Sequence, residues 1–280
     1  MMENKSVVQR QRLKLKSRRL ARRVLPFVAA LFMATPMAAP VTRSKAAVTG
    51  SKMHLPASAP VAVSKATVFE QKVYDLYRDL QVEQQGLTFE VFEKAMTGYL
   101  NLEETDKLSE KKLLTVVDFS LPSTEKRLWV LDLEAKEVKF HTLVAHGRNS
   151  GENMATTFSN ENESNKSSLG FYVTEGEYVG KHGRSLKLAG VDEGYNTNAL
   201  MRSVVMHGAD YVSDEFIRQN GRLGRSLGCP ALPMDQKDAI IEAIGGQTAM
   251  FINGPDTRYS SKYLDQDVAV NTLLSSSPLI

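Results

Sequence analysis

The sequence predicts a mainly β, α+β domain with a small helical cap at its N-terminal end. Two observations carry that prediction. Between Thr67 and Leu100 apolar residues recur every three or four positions, whereas from Leu113 onward they gather in short runs of β-branched and aromatic residues separated by turn formers. A third observation places chemistry in the β-rich part. Cys229, the only cysteine, lies in Gly224-Arg225-Ser226-Leu227-Gly228-Cys229-Pro230-Ala231-Leu232, 22 positions after His207-Gly208.

Residues 1–47 read as an export leader. Residues 1–23 hold nine Lys or Arg and the single acid Glu3; an apolar stretch follows over 24–33, with small residues around Ala38, Ala39, Ala46 and Ala47. The apolar core is short of the roughly 20 residues that a membrane span requires, so the membrane is expected to be a partner only through an uncleaved leader. Arg18-Arg19 and Arg22-Arg23 allow a twin-arginine route beside general export, and a mitochondrial presequence is the rival. No cysteine near the leader is available for lipid attachment. Eleven of the 35 Lys and Arg but only one of the 32 Asp and Glu fall in residues 1–47, so the remainder carries a net charge of about −7. The basic isoelectric point belongs to the leader and argues against nucleic acid as a partner.

Residues 48–66, rich in Ala, Ser, Pro and Val without period, read as a flexible spacer. A helical cap is expected over 67–112. Val68, Phe69, Val73, Leu76, Tyr77 and Leu80 mark one helix ending near Gly86; Thr88 caps a second whose buried face is Val91, Phe92, Ala95, Met96, Tyr99 and Leu100. The catalytic domain is expected over 113–255, with strands over 115–119, 127–133 and 138–145 as an antiparallel meander, then over 170–174, 203–206 and 250–253. The polar segment 149–168 reads as a long surface loop, a candidate lid. A helix over 235–244 takes Asp235 as N-cap and ends at Gly245, and 256–280 remain as a C-terminal tail.

A lone thiol cannot close a disulfide within its own chain, so it is idle, paired with another molecule, or chemically employed. Gly228 and Pro230 favour employment on a stiff turn. An ordinary thiol is only a few per cent ionised at neutral pH, so a nucleophilic Cys229 calls for a base, and His207 at the end of a strand is the natural one. That argument predicts a Cys229 of lowered pKa, with the amides of Gly228 and Cys229 as an oxyanion hole. A buried inert Cys and a hydrogen-bonded His remain the alternative that spacing alone leaves open.

His207-Gly208 with Ser226-Leu227-Gly228-Cys229 resembles the signature of the murein L,D-transpeptidases, a His-Gly followed by Ser-x-Gly-Cys. The resemblance runs over about 113–253, is closest to the branch with Gly-Cys-Pro, and is supported by segments 144–151, 167–172 and 180–183. It implies a mixed-sheet catalytic domain in the bacterial envelope acting on peptidoglycan stem peptides, with no cofactor. Cys229 would then be the nucleophile and His207 the base and later acid, oriented by the Gly208 carbonyl. Ser226 would order the turn or touch substrate. Attack on the L-centre carbonyl of the third stem residue would expel D-Ala, and a neighbouring amine would resolve the thioester to a 3→3 cross-link.

Two positions depart from the family. Leu227 stands where many members have His, and Ala231 where many have Arg, so Arg222 or Arg225 is the candidate carboxylate binder, with His182 as a third substrate-side residue. The departures keep alternatives open: an L,D-carboxypeptidase, a hydrolase that detaches wall-bound protein, or a non-catalytic wall-binding module. A zinc site on Cys229 and the three His-Gly pairs (His146, His182, His207) is disfavoured, because the spacings match no compact metal motif. His146 and His182 read as turn residues near the cleft rim, Trp129 as core, Glu161 and Glu163 as a solvated face. Tyr195, Asn196 and Asn198 are unassigned.

Overall fold

A computed structural model describes residues 64–275. The expected leader (1–47), all but the last three residues of the expected spacer, and the last five residues of the tail lie outside them. Helix α1 (Lys65–Asp79) begins two residues before Thr67, because Ser64 Oγ accepts the Thr67 N–H at 3.1 Å. It stops short of Gly86, and a 3₁₀ turn (Val82–Gln85) completes the expected run. Helix α2 (Phe89–Glu103) is capped by Thr88, whose hydroxyl accepts the Val91 N–H at 3.4 Å.

Eight strands follow: β1 (Leu113–Asp118), β2 (Leu128–Asp132), β3 (Glu137–Thr142), β4 (Gly170–Gly180), β5 (Gly183–Gly190), β6 (Val205–Gly208), β7 (Ala231–Leu232) and β8 (Ala249–Asn253). They form one sheet in the order β3-β2-β1-β8-β4-β5-β6-β7. The first three make the antiparallel meander, while β1/β8 and β6/β7 pair in parallel, so the sheet is mixed. The sequence reading lacked β5, β7 and the outer half of β4. It also lacked helix α3 (Asp214–Asn220) and the helix of the expected tail. Helix α4 (Lys237–Ile244) starts after Gln236 rather than Asp235; the Pro233 carbonyl accepts from both Gln236 and Lys237 N–H groups, and that turn replaces a side-chain cap.

The two faces of the sheet feed two cores. Successive strand side chains point to opposite faces, so Leu114, Val116, Trp129, Leu131, Phe171 and Phe251 pack on one side, and Val117, Leu128, Val130, Tyr172, Met250 and Ile252 on the other. Burial on both faces makes these strands read as continuous apolar runs. The first face is covered by α1, α2 and the C-terminal helix α5 (Gln266–Ser275), so the helices are a layer of the same domain. Buried Asn101 of α2 holds the C-terminal segment by donating to Tyr263 O at 2.6 Å and Asp265 O at 2.8 Å. The second face is covered by α4, and β6 and β7 lie at the edge of the sheet, where the cysteine turn docks. Among the described residues no helix is long and apolar enough to cross a membrane.

Candidate active site

Strand β6 and the turn before β7 set the imidazole and the thiol on one cleft. Val205 and His207 share a face of β6, Cys229 Sγ lies 3.4 Å from Val205 N, and β7 pairs Ala231 with His207 two residues after the cysteine. The turn before β7 is fastened to segment 145–148. Ser226 N–H donates to His146 O at 3.0 Å, Arg148 N–H to Ser226 O at 2.8 Å, and Ala145 N–H to Ala231 O at 2.9 Å. Within the turn Ser226 Oγ donates to Cys229 O at 2.6 Å and accepts the Gly228 N–H at 3.1 Å. Gly228 has φ +125°, and a Cβ there would lie 2.9 Å from Lys166 O, so the position requires glycine twice over. On the far side of the sulfur, Ser203 in a left-handed conformation (φ 55°) aims its carbonyl at Sγ, 3.7 Å away.

The imidazole tautomer follows from its partner. His207 Nδ1 is 2.9 Å from Gly208 O, and a carbonyl only accepts, so Nδ1 carries the proton and Nε2 presents a lone pair. The His182 ring stacks on His207 at 4.4 Å between centroids, 22° from parallel. Burial pulls the His207 pKa down against the Gly208 hydrogen bond, and His182 and Lys181 pull the same way. Burial also pushes the Cys229 thiol up, against the Val205 N–H, Arg202 and Lys181. These shifts favour a neutral thiol beside a neutral imidazole. The direction runs against the expected low-pKa thiolate, with desolvation opposing the nearby cations.

The cleft around this pair is about 420 Å³ and is lined by Tyr178, Lys181, His182, Arg202, Ser203, Tyr211, Arg225 and Leu227 besides Cys229 and His207. Larger hollows of about 480 and 760 Å³ flank Tyr195, but neither holds a cysteine or histidine, so chemistry rather than size picks the site. Asn196 is buried, donating to Leu169 O and Phe171 O. Asn198 is tied to Asn160.

Several expected roles change. The Gly228 N–H, expected as an oxyanion donor, is taken by Ser226 Oγ at 3.1 Å, and among the described residues no carbonyl or side chain other than its own sulfur accepts the Cys229 N–H. Arg222 does not line the cleft: its Nε pairs with Glu152 at 3.0 Å and a terminal nitrogen donates to Leu223 O at 2.8 Å. Arg225 lines it but is held by Glu152 at 2.7 Å and Gly151 O at 3.0 Å. His146 is fully buried rather than at the rim. Its Nδ1 accepts from the buried Arg127 guanidinium at 2.8 Å and its Nε2 faces Gly151 O, which fixes it neutral, with a pKa lowered to about 4 by burial and by Arg127.

Arg202 is the residue the sequence reading missed. One terminal nitrogen donates to Ser159 O (2.7 Å) and Ser168 Oγ (2.5 Å), the other to Lys166 O (2.7 Å) and Ser164 Oγ (3.1 Å). Ser167 N–H on Ser150 Oγ (2.9 Å) and Asn149 N–H on Asn165 O (3.1 Å) tie segment 149–168 together, and Arg202 joins it to the cleft that Arg202 itself lines. Nothing in the local sequence around Arg202 signals those partners, which lie 34 to 43 positions away.

An eight-stranded mixed sheet with a helical layer and a cysteine–histidine cleft at its edge is the class of protein that fold and site define. The model of the L,D-transpeptidase catalytic domain family matches residues 83–253, more than half of the chain, and the protein belongs to that family. Similar solved structures include an L,D-transpeptidase from Mycobacterium smegmatis (12% identity, 51% of this chain and 59% of that one, TM-score 0.33). Another is the LD transpeptidase LdtMt1 in complex with imipenem (12%, 50% and 58%, TM-score 0.31). A third is an L,D-transpeptidase from Stackebrandtia nassauensis (16%, 67% and 94%, TM-score 0.32). The chain thus spans under two thirds of the first two. No curated protein sequence matches it.

Proposed function

We propose that the protein is a peptidoglycan L,D-transpeptidase, exported through residues 1–47, with Cys229 as nucleophile and His207 as general base. The observation that carries this reading is one cleft lined by both Cys229 and His207, with Sγ against β6 and the His207 Nδ1–H committed to Gly208 O, leaving Nε2 to take a proton. With both groups neutral at rest, proton transfer accompanies attack. The Sγ–C bond forms on the L-centre carbonyl of the third stem residue as the thiol proton passes to Nε2. The C–N bond to D-Ala then breaks as Nε2–H protonates the leaving amine. An amine of a neighbouring stem attacks the thioester, gives its proton to Nε2 and forms the new amide; the sulfur leaves and recovers that proton. Cys229 N–H is the backbone donor this reading assigns to the developing oxyanion.

The test is incubation of the purified protein with tetrapeptide-bearing muropeptides, beside Cys229→Ala. Cross-linked dimers from the wild type alone support the reading. Shortened tripeptides alone transfer it to an L,D-carboxypeptidase, and binding to sacculi with neither product transfers it to a wall-binding module. Imipenem gives an independent control, since a stoichiometric mass adduct lost in Cys229→Ala reports an acylatable thiol.

A further inference from the structure

Three cations line the cleft, Lys181, Arg202 and Arg225, and no Asp or Glu does. Two of them are already engaged. Both terminal nitrogens of Arg202 are used on segment 159–168, and Arg225 is paired with Glu152. Lys181 is exposed and has no hydrogen bond or ion pair among the described residues. Its position is nonetheless set by the fold. Gly180 pairs with Gly183 to close the β4–β5 hairpin over the two residues Lys181 and His182, and the stacking of His182 on His207 seats that tip above the base. Lys181 therefore offers a cleft-side ammonium beside the reacting pair, and its field acts on both Cys229 and His207.

We propose that Lys181 is a specificity-determining residue that reads a free carboxylate on the acyl donor and disfavours the corresponding carboxamide. The inference rests on the acyl-transfer reading above. It replaces Arg222 and Arg225, whose guanidinium groups are occupied, as the carboxylate-binding group. An ammonium meets a carboxylate as a charge-assisted contact, whereas a carboxamide offers it only a neutral oxygen.

The experiment compares a peptide donor bearing a free side carboxylate with its carboxamide, on wild type, Lys181→Met and Lys181→Arg. The preference for the carboxylate donor in kcat/KM is expected to fall about tenfold in Lys181→Met, through KM, and to be kept by Lys181→Arg. An unchanged preference, or a loss in kcat alone, overturns the proposal. If the wild type turns over neither donor, the acyl-transfer reading has failed and the charge is read chemically, by alkylating Cys229 with iodoacetate and with iodoacetamide. Both reagents see the same thiolate, so the ratio of their rates reports the field on an incoming anion. The ratio is expected to drop about threefold in Lys181→Met at low salt and to be less affected at high salt. A ratio that does not move overturns the proposal.

Discussion

At the scale of single residues, burial governs the titratable groups of the site. Desolvation raises Cys229 and lowers His207, and Arg202 and Lys181 only reduce the rise. The pH midpoint of iodoacetamide alkylation of Cys229 is therefore expected above that of ordinary cysteine, and Arg202→Met is expected to move it further up; a midpoint below ordinary cysteine would indicate a preformed ion pair instead. His146 carries a second pH effect. Its folded pKa of about 4 lies below the 6.5 of the free side chain, so the unfolded chain binds the proton first. Stability from this group is complete above pH 6.5 and is lost as pH falls toward 4, by about 3 kcal/mol in all. Denaturant titrations at pH 7, 5.5 and 4 should show that slope, and His146→Gln should flatten it. Cys229 and His207 could be singled out in the sequence because a lone thiol and a strand-ending His-Gly are rare chemistry. Arg202 and Lys181 were hidden because an Arg or Lys in a loop carries no sign of which carbonyls or cleft it will face.

Single elements were legible where they had a buried face. The stripes of α1 and α2 and the apolar runs of β1, β2 and β8 follow directly from packing against the two cores. The outer half of β4, from Glu175 onward, is mostly exposed and so has no pattern, and β7 has only two residues. Helix α3 buries none of its seven residues, although Ser213 caps it by accepting the Phe216 N–H at 3.2 Å. Element packing also gives a test. Helix α2 crosses β4 at Gly98, where an added Cβ would fall 1.9 Å from Phe171 Cζ in a fully buried ring. Alanine should favour the helix by about 1 kcal/mol, but overpacking against a ring with no room to move costs about 3 kcal/mol. Gly98→Ala is expected to lower stability by about 2 kcal/mol in urea unfolding, and a neutral or stabilising result would mean that α2 can lift off the sheet.

Over the whole molecule, the segment read as a tail turns out to close a core. Tyr263, Ala269, Val270 and Leu273 are buried against α1, α2 and Phe171, while Tyr259 and Ser261 donate to the buried carboxylate of Asp192 at 2.7 and 2.5 Å. Its composition gave no hint of this, because the partners of so short an apolar run lie far away in sequence. Deleting residues 255–280 removes three large buried side chains, about 5 kcal/mol of apolar burial, and is expected to lower Tm by roughly 10–20 °C; a truncated protein with an unchanged Tm would make the segment an accessory. The burial that raises the Cys229 thiol also bears on oxidation. Peroxide and stray disulfides react with thiolate, so a sulfur that loses its proton only when a peptide arrives ages slowly in air. Peroxide oxidation of Cys229, the one cysteine in the sequence, is therefore expected to run slower in the folded protein than for a free cysteine.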